Sequence, residues 1–227
     1  VVARNIDPHA DFIETKRMLR VLGTDQDRDS YVVRCHLACA SDVTYPRRDG
    51  SGLTKPYQHA KFLAISKSGS ERYLVMFPSE NLSPSAIEQS NDMIVLEGSR
   101  AIYDFVVDRF EIMRQDAGSA EGEVTSGSAT LTMYPVTLGP GAKPSSDTDP
   151  YWDLFGNITC RVGGKATILR IAMSMWSLPR LYLAQRVAEL SKEGCRILVI
   201  GQPEIAQGGW DPEIKAALMV AGSTVEL

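Results

Sequence analysis

Two short apolar runs on either side of a polar turn constrain this chain more than any other feature. Phe62-Leu63-Ala64-Ile65-Ser66 leads into Lys67-Ser68-Gly69-Ser70, and Tyr73-Leu74-Val75-Met76-Phe77 follows. Runs of this length bounded by Gly and Ser read as paired strands. Residues that carry chemistry stand at the open end of the pair: His59 and Lys61 ahead of the first run, Ser79 and Asn81 behind the second. Side chains alternate along a strand, so His59 and Lys61 share a face, while Ser79 and Asn81 reach the same end from the partner strand. Glu80, between them, faces solvent on this reading.

A neutral imidazole within reach of a phosphodiester is a good nucleophile, and a phosphohistidine intermediate divides one hard displacement into two easier ones. The Lys61 ammonium and the Asn81 amide suit the non-bridging oxygens, where charge builds in the transition state, and Ser79 can add a hydrogen bond. The order His-x-Lys, strand, turn, strand, Ser-x-Asn resembles the phospholipase D superfamily, and in texture its secreted actinobacterial members. The family pattern is His-x-Lys-x4-Asp followed by Gly-Ser-x-Asn. Here Ser66 stands at the Asp position and Pro78 at the Gly position, where proline restricts the backbone of the phosphate-binding turn.

The resemblance implies an α/β fold: a phospholipase D-like α/β/α sandwich of two pseudo-twofold-related halves, each with a mixed, largely parallel sheet between helices. Residues 90–96 and 102–110 resemble the strand and helix that close one half. Residues 167–227 resemble the opening of the next, with strands over 167–176, 196–200 and 223–227 and helices over 181–192 and 212–221. At the other end, a strand stump at 1–3 precedes a helix over 7–22 and a strand over 31–35. The halves are expected at 1–130, carrying the His-x-Lys, and at 131–227. Residues 116–130, small, polar and acidic, read as a linker. A strand over 131–138 and a proline-bearing surface loop over 139–150 follow it.

In that family a second His-x-Lys supplies the acid that protonates the leaving oxygen and the base that activates water. Neither His9 nor His36 has a lysine two residues on; His9 reads as a first-turn helix residue and His36 as a structural residue at a strand end. The second half-site is therefore expected from elsewhere. On this view the chain is an internal piece of a two-half enzyme, finds its partner segments on a second chain, or completes its sheet by association.

Hydrophobic residues make up 44% of the chain, enough for a substantial core, and the formal net charge is −4. An acidic balance argues against non-specific clinging to nucleic acid, although it leaves a nuclease open. Arg47-Arg48 and Lys55, just ahead of the motif, either steer an anion or are ordinary loop charges. No run approaches the roughly 20 apolar residues of a membrane span, and Val-Val-Ala-Arg-Asn lacks the basic-then-apolar order of a signal peptide. The spacing of Cys35, Cys39, Cys160 and Cys195 suits neither a zinc ribbon nor a redox Cys-x2-Cys. Pairing Cys35 with Cys39 and Cys160 with Cys195 in an oxidising, secreted or extracellular setting is the simpler reading; four buried thiols is the other. Trp176 and Trp210 either line a cleft or pack at strand ends. The expected activity is phospholipase D-type hydrolysis of a phospholipid, without metal or cofactor. A metal-independent nuclease and a binding protein with a decayed site are the alternatives.

Overall fold

The computed structural model describes residues 2–4, 13–35, 39, 45–46, 53–54, 60–79, 91–115, 122–133, 145–201, 209–220, 222–223 and 225–226. Packing divides the chain into two units, Val1–Gly141 and Ala142–Leu227.

In the first unit, β1 (Val2–Arg4) and β2 (Val33–Cys35) pair in parallel, with α1 (Ile13–Leu22) between them in sequence. Gly23, at φ +73°, ends α1 and returns its N–H to the Leu19 carbonyl at 2.9 Å. A short pair follows, β3 (Tyr45–Pro46) with β4 (Leu53–Thr54). The expected hairpin forms next: β5 (Leu63–Ser68) pairs antiparallel with β6 (Glu71–Pro78), Leu63 opposite Met76, across a Gly69-Ser70 turn. β7 (Met93–Leu96) joins the other side of β6. α2 (Arg100–Arg114) starts where Ser99 accepts the Ile102 N–H, and its apolar residues recur at helical spacing. Ile102 and Val106 thereby meet Val75 in a core that Phe62, Phe77 and Leu96 complete from the sheet. Val124 and Leu131 reach the same core from the hairpin of β8 (Gly122–Ser126) and β9 (Ala129–Met133).

The second unit opens with α3 (Pro150–Gly156), capped by Asp149, and a hairpin of β10 (Arg161–Val162) and β11 (Lys165–Ala166). β12 (Ile168–Met173), α4 (Leu181–Lys192), β13 (Arg196–Gly201), α5 (Pro212–Leu218) and β14 (Val225–Glu226) alternate along the chain. They make a parallel sheet in the order β12-β13-β14. Leu183, Val187 and Leu190 of α4 and Ile214 and Leu218 of α5 pack on Ile197 and Val199 in one continuous core. Burying each such side chain is worth about 1.5–3 kcal/mol. The Cys160–Cys195 disulfide, expected from the sequence, joins the residue ahead of β10 to the residue ahead of β13.

Two expectations are corrected. The α/β/α sandwich of two related halves with largely parallel sheets does not form. Among the described residues every sheet has two or three strands, and each pairing between residues 45 and 133 is antiparallel. For β5–β6 and β8–β9 connection length is the reason: a two-residue turn joins each pair, whereas a parallel crossover needs about a dozen residues or more. Among the described residues parallel strand pairs are β1–β2 and β12–β13–β14, where a helix separates the strands in sequence, and an isolated parallel bridge joins Trp176 and Trp210. The segment expected as a linker is the second correction. Residues 122–130 are β8, the Gly127-Ser128 turn and the start of β9, because Val124, Thr125 and Thr130 favour strand and Gly127, at φ +62°, closes a tight hairpin.

Candidate functional site

Of the four residues expected to bind and attack a phosphodiester, Lys61 and Ser79 lie within the described chain; His59 and Asn81 lie outside the described residues. The β5–β6 hairpin delivers Lys61 and Ser79 to one end of the three-stranded sheet. The last pair of the ladder at that end is Leu63 with Met76; Lys61 lies two residues ahead of Leu63 and Ser79 three beyond Met76. β7 supplies the third wall of that end. The Ser79 N–H donates to the Asp92 carbonyl, and the Ser79 Oγ accepts the Asp92 N–H, both at 2.9 Å. These two bonds carry the β6–β7 ladder one step past Pro78 and Met93, leaving the Ser79 hydroxyl proton to give to a ligand oxygen.

Lys61 is half-buried, and burial pushes its ammonium below the ordinary lysine value. Phe62 turns toward α2. By strand alternation Lys61 then belongs to the opposite face, with Leu63, Met76, Pro78, Met93 and Val95. Toward the Lys61 end that face is open, with Leu63, Met93 and Val95 exposed, while Leu74 farther along it is buried. A cation at the sheet end thus borders a strip of uncovered apolar side chains. Such an edge can hold an anion attached to an apolar body, the cation on the charge and the strip on the tail.

The second unit has a polar centre that sequence reasoning did not single out. Asp149, buried, caps α3 through the Tyr151 N–H at 3.1 Å, accepts the Tyr182 hydroxyl at 2.7 Å and pairs with Arg180 Nε at 2.9 Å. Burial, and then the hydrogen bond to Asp149, drives the Tyr182 hydroxyl far above the usual phenol range, so it stays a donor. The Arg180 guanidinium also lies 5.3 Å from the centre of the Tyr151 ring. The one sequence signal was Asp149 before Pro150, the order of an N-cap and first helical position. Trp176 and Trp210 meet edge to face at 6.0 Å, and each indole N–H is taken up by a backbone carbonyl, Arg180 O and Met173 O respectively. Both are buried; Trp176 also borders a cavity beside β12.

Cys160 and Cys195 are bonded to each other, and Cys39 is disulfide-bonded as well. The Cys35 side chain lies outside the described residues, as do His9, His36, Arg47, Arg48 and Lys55. Among the described residues no cluster of His, Cys, Asp or Glu could hold a metal ion, and no helix is long and apolar enough to cross a membrane. No family model, curated protein or solved structure matches the chain.

Proposed function

We propose that the chain carries one half-site of a phospholipase D-type phosphodiester hydrolase acting on phospholipid, with His59 as nucleophile and Lys61, Ser79 and Asn81 holding the phosphate. One observation carries the choice of substrate: Lys61 borders an exposed apolar strip made by Leu63, Met93 and Val95. A phospholipid presents a phosphodiester joined to apolar tails and meets both features, whereas a nucleic-acid backbone offers nothing to the strip.

Attack of the His59 imidazole on phosphorus forms a P–N bond as the P–O bond to the leaving alcohol breaks. An acid protonates that alkoxide, and water then displaces the imidazole, giving phosphatidic acid and restoring the histidine. Lys61 and Asn81 bind the non-bridging oxygens on which charge accumulates. The acid and base come from a second half-site, which a second copy of this chain supplies by association. A secreted or extracellular setting accompanies this reading, and the Cys160–Cys195 disulfide supports it.

Choline release from phosphatidylcholine vesicles in chelator tests the proposal, with the full chain and its His59→Asn variant side by side. Turnover present in the wild type and lost by about 10³-fold or more in the variant is the expected result. Cleavage of plasmid or single-stranded DNA with phosphatidylcholine untouched moves the substrate to nucleic acid. No turnover in the wild type beyond that of the variant ends the enzymatic reading and leaves a binding protein with a decayed site.

A further inference from the structure

β12 is the end strand of its sheet, and its backbone shows which residues face outward. The Arg196 N–H donates to the Thr167 carbonyl at 2.9 Å, in a ladder that sets Ile168 opposite Arg196. In a parallel ladder alternate residues of a strand turn both backbone groups to the same neighbour. Leu169 and Ile171 therefore bond to β13, and the N–H and C=O groups of Ile168, Arg170 and Ala172 point away from it. No strand pairs with that edge among the described residues.

A cavity of about 470 Å³ runs along this side of β12. Five consecutive residues, 169 to 173, form its strand wall, while Tyr151, Leu154 and Phe155 of α3 stand opposite and Met175 borders it near the end of β12. Leu154 and Met175 are exposed, so the groove is open; its lining is mostly apolar, with Ser177 and the Asp149-paired Arg180 as polar members. Sheet edges in folded proteins are blunted by charge, proline, a bulge or a cover. β12 carries one charge, Arg170, and no proline.

Two classes of occupant fit the apolar walls, and the backbone separates them. An acyl chain fills the groove and leaves the outward amides and carbonyls dehydrated and unpaired, which is costly. An extended peptide fills the same space and pairs them. The faces then dictate its sequence. Leu169 and Ile171 lie against the core on the α3 side, so alternate residues of an added strand enter the groove and should be apolar. The remaining residues emerge on the face of Arg170, which is exposed and has no ion-pair partner among the described residues, so a carboxylate there meets a free cation.

We infer that the outer edge of β12 is a docking site for an extended peptide segment that alternates apolar and acidic side chains and adds as a further strand beside Ile168, Arg170 and Ala172. The site is independent of the phosphodiesterase reading.

The test uses the full chain and the fluorescein-labelled peptide acetyl-Ser-Val-Glu-Val-Glu-Val-Thr-amide, followed by anisotropy. Saturable binding with a Kd below about 100 µM is expected, and methylating alternate peptide nitrogens on the ladder-facing side should weaken it by about 10-fold or more. Arg170→Glu should weaken the acidic peptide about 5-fold or more and prefer a version with Lys in place of Glu, while Arg170→Lys keeps the original preference. No binding up to about 1 mM, or equal binding by the methylated peptide, overturns the proposal. So does saturable binding of decanoate that excludes the peptide, which makes the groove an acyl-chain site. The methylation comparison is made on the unaltered chain and stands whether or not an Arg170 variant folds.

Discussion

The two three-stranded sheets share a shortcoming and differ in what it means. In β5-β6-β7, α2 covers Val75 and Phe77 on one face, and Leu63, Met93 and Val95 at one end of the other face are left open, although Leu74 on that face is buried. In β12-β13-β14, α4 and α5 cover the face of Ile197 and Val199, and Ile168 and Ile200 on the other face are 42% and 75% exposed. An antiparallel sheet commonly turns one face to water, whereas a parallel sheet is ordinarily covered on both. The open face of the first unit is thus compatible with a finished fold and, with Lys61 at its rim, serves as a contact surface. The open face of the second, with an edge unpaired among the described residues, marks a sheet with room for a further strand. Cohesion differs too: among the described residues the second unit has one continuous core, while the first gathers two smaller clusters around α2, one of them holding the disulfide-bonded Cys39.

Replacing Lys61 with Met should have the largest effect and should fall on chemistry alone. Loss of a group that holds a transition-state oxygen lowers turnover by about 10²–10³-fold, read as choline release from phosphatidylcholine. Amide exchange in β12 and β13 should not change. Undiminished turnover would remove Lys61 from the site and with it the functional meaning of the first sheet's open face. Lys61 also sets a pH dependence. Burial lowers its folded pKa below the ordinary 10.5, and only the protonated form holds phosphate. kcat/KM should therefore fall on the alkaline side at a pH below 10.5, and Lys61→Arg should carry that limb upward. Stability moves the opposite way: between the folded and unfolded values the unfolded chain binds more protons, so this contribution rises with pH across the window.

The second unit should respond most to its tether. Replacing Cys160 and Cys195 together with serine releases a closed loop of 35 residues' separation and should cost about 3–4 kcal/mol. Hydrogen exchange resolved by peptide should show the loss in α4 and β13 and leave β5 and β6 untouched. Equal loss in both places would mean that the contrast in cohesion is false. Asp149→Asn comes next at about 2–3 kcal/mol, since it keeps the shape but weakens the bonds that Arg180 and Tyr182 make to a buried carboxylate. Its signature is loss of protection at the start of α3 and α4.

Where periodicity was strong, the sequence was legible. The β5–β6 hairpin, α2, and the alternation of β12, α4, β13, α5 and β14 all follow from apolar spacing bounded by Gly, Ser and Pro. The convergence of Lys61 and Ser79 on one sheet end followed from the hairpin alone. The β8–β9 hairpin was hidden by composition: Gly, Ser and Glu gave it the look of a linker, although Val124-Thr125 and Thr130-Leu131-Thr132 flank a Gly-Ser turn. The sheet order was misread for another reason. Largely parallel pairing suits residues 168–226, where helices separate the strands; it does not suit the sheet built around the β5–β6 hairpin, where β6 pairs antiparallel on both sides. The Asp149 centre joins residues 31 and 33 positions apart, a meeting that packing of α3 against α4 creates and that local pattern does not announce.

The smallest effect contrasts the two helix caps. Ser99 accepts the Ile102 N–H at 3.3 Å and donates to Ser126 Oγ at 2.8 Å, joining the start of α2 to the end of β8. Asp149 does the same job for α3 with a buried charge and three partners, so the first unit's cap should be the cheaper to lose. Ser99→Ala should cost about 1 kcal/mol, and Ser99→Gly only a few tenths, because glycine is a tolerable N-cap and alanine is not. Ser126→Ala separates the two bonds: it leaves the cap intact and should cost less than Ser99→Ala in urea denaturation. If Ser126→Ala costs as much, the stabilisation belongs to the tie between α2 and β8 rather than to the cap. The first unit would then depend, like the second, on a side-chain bridge between elements.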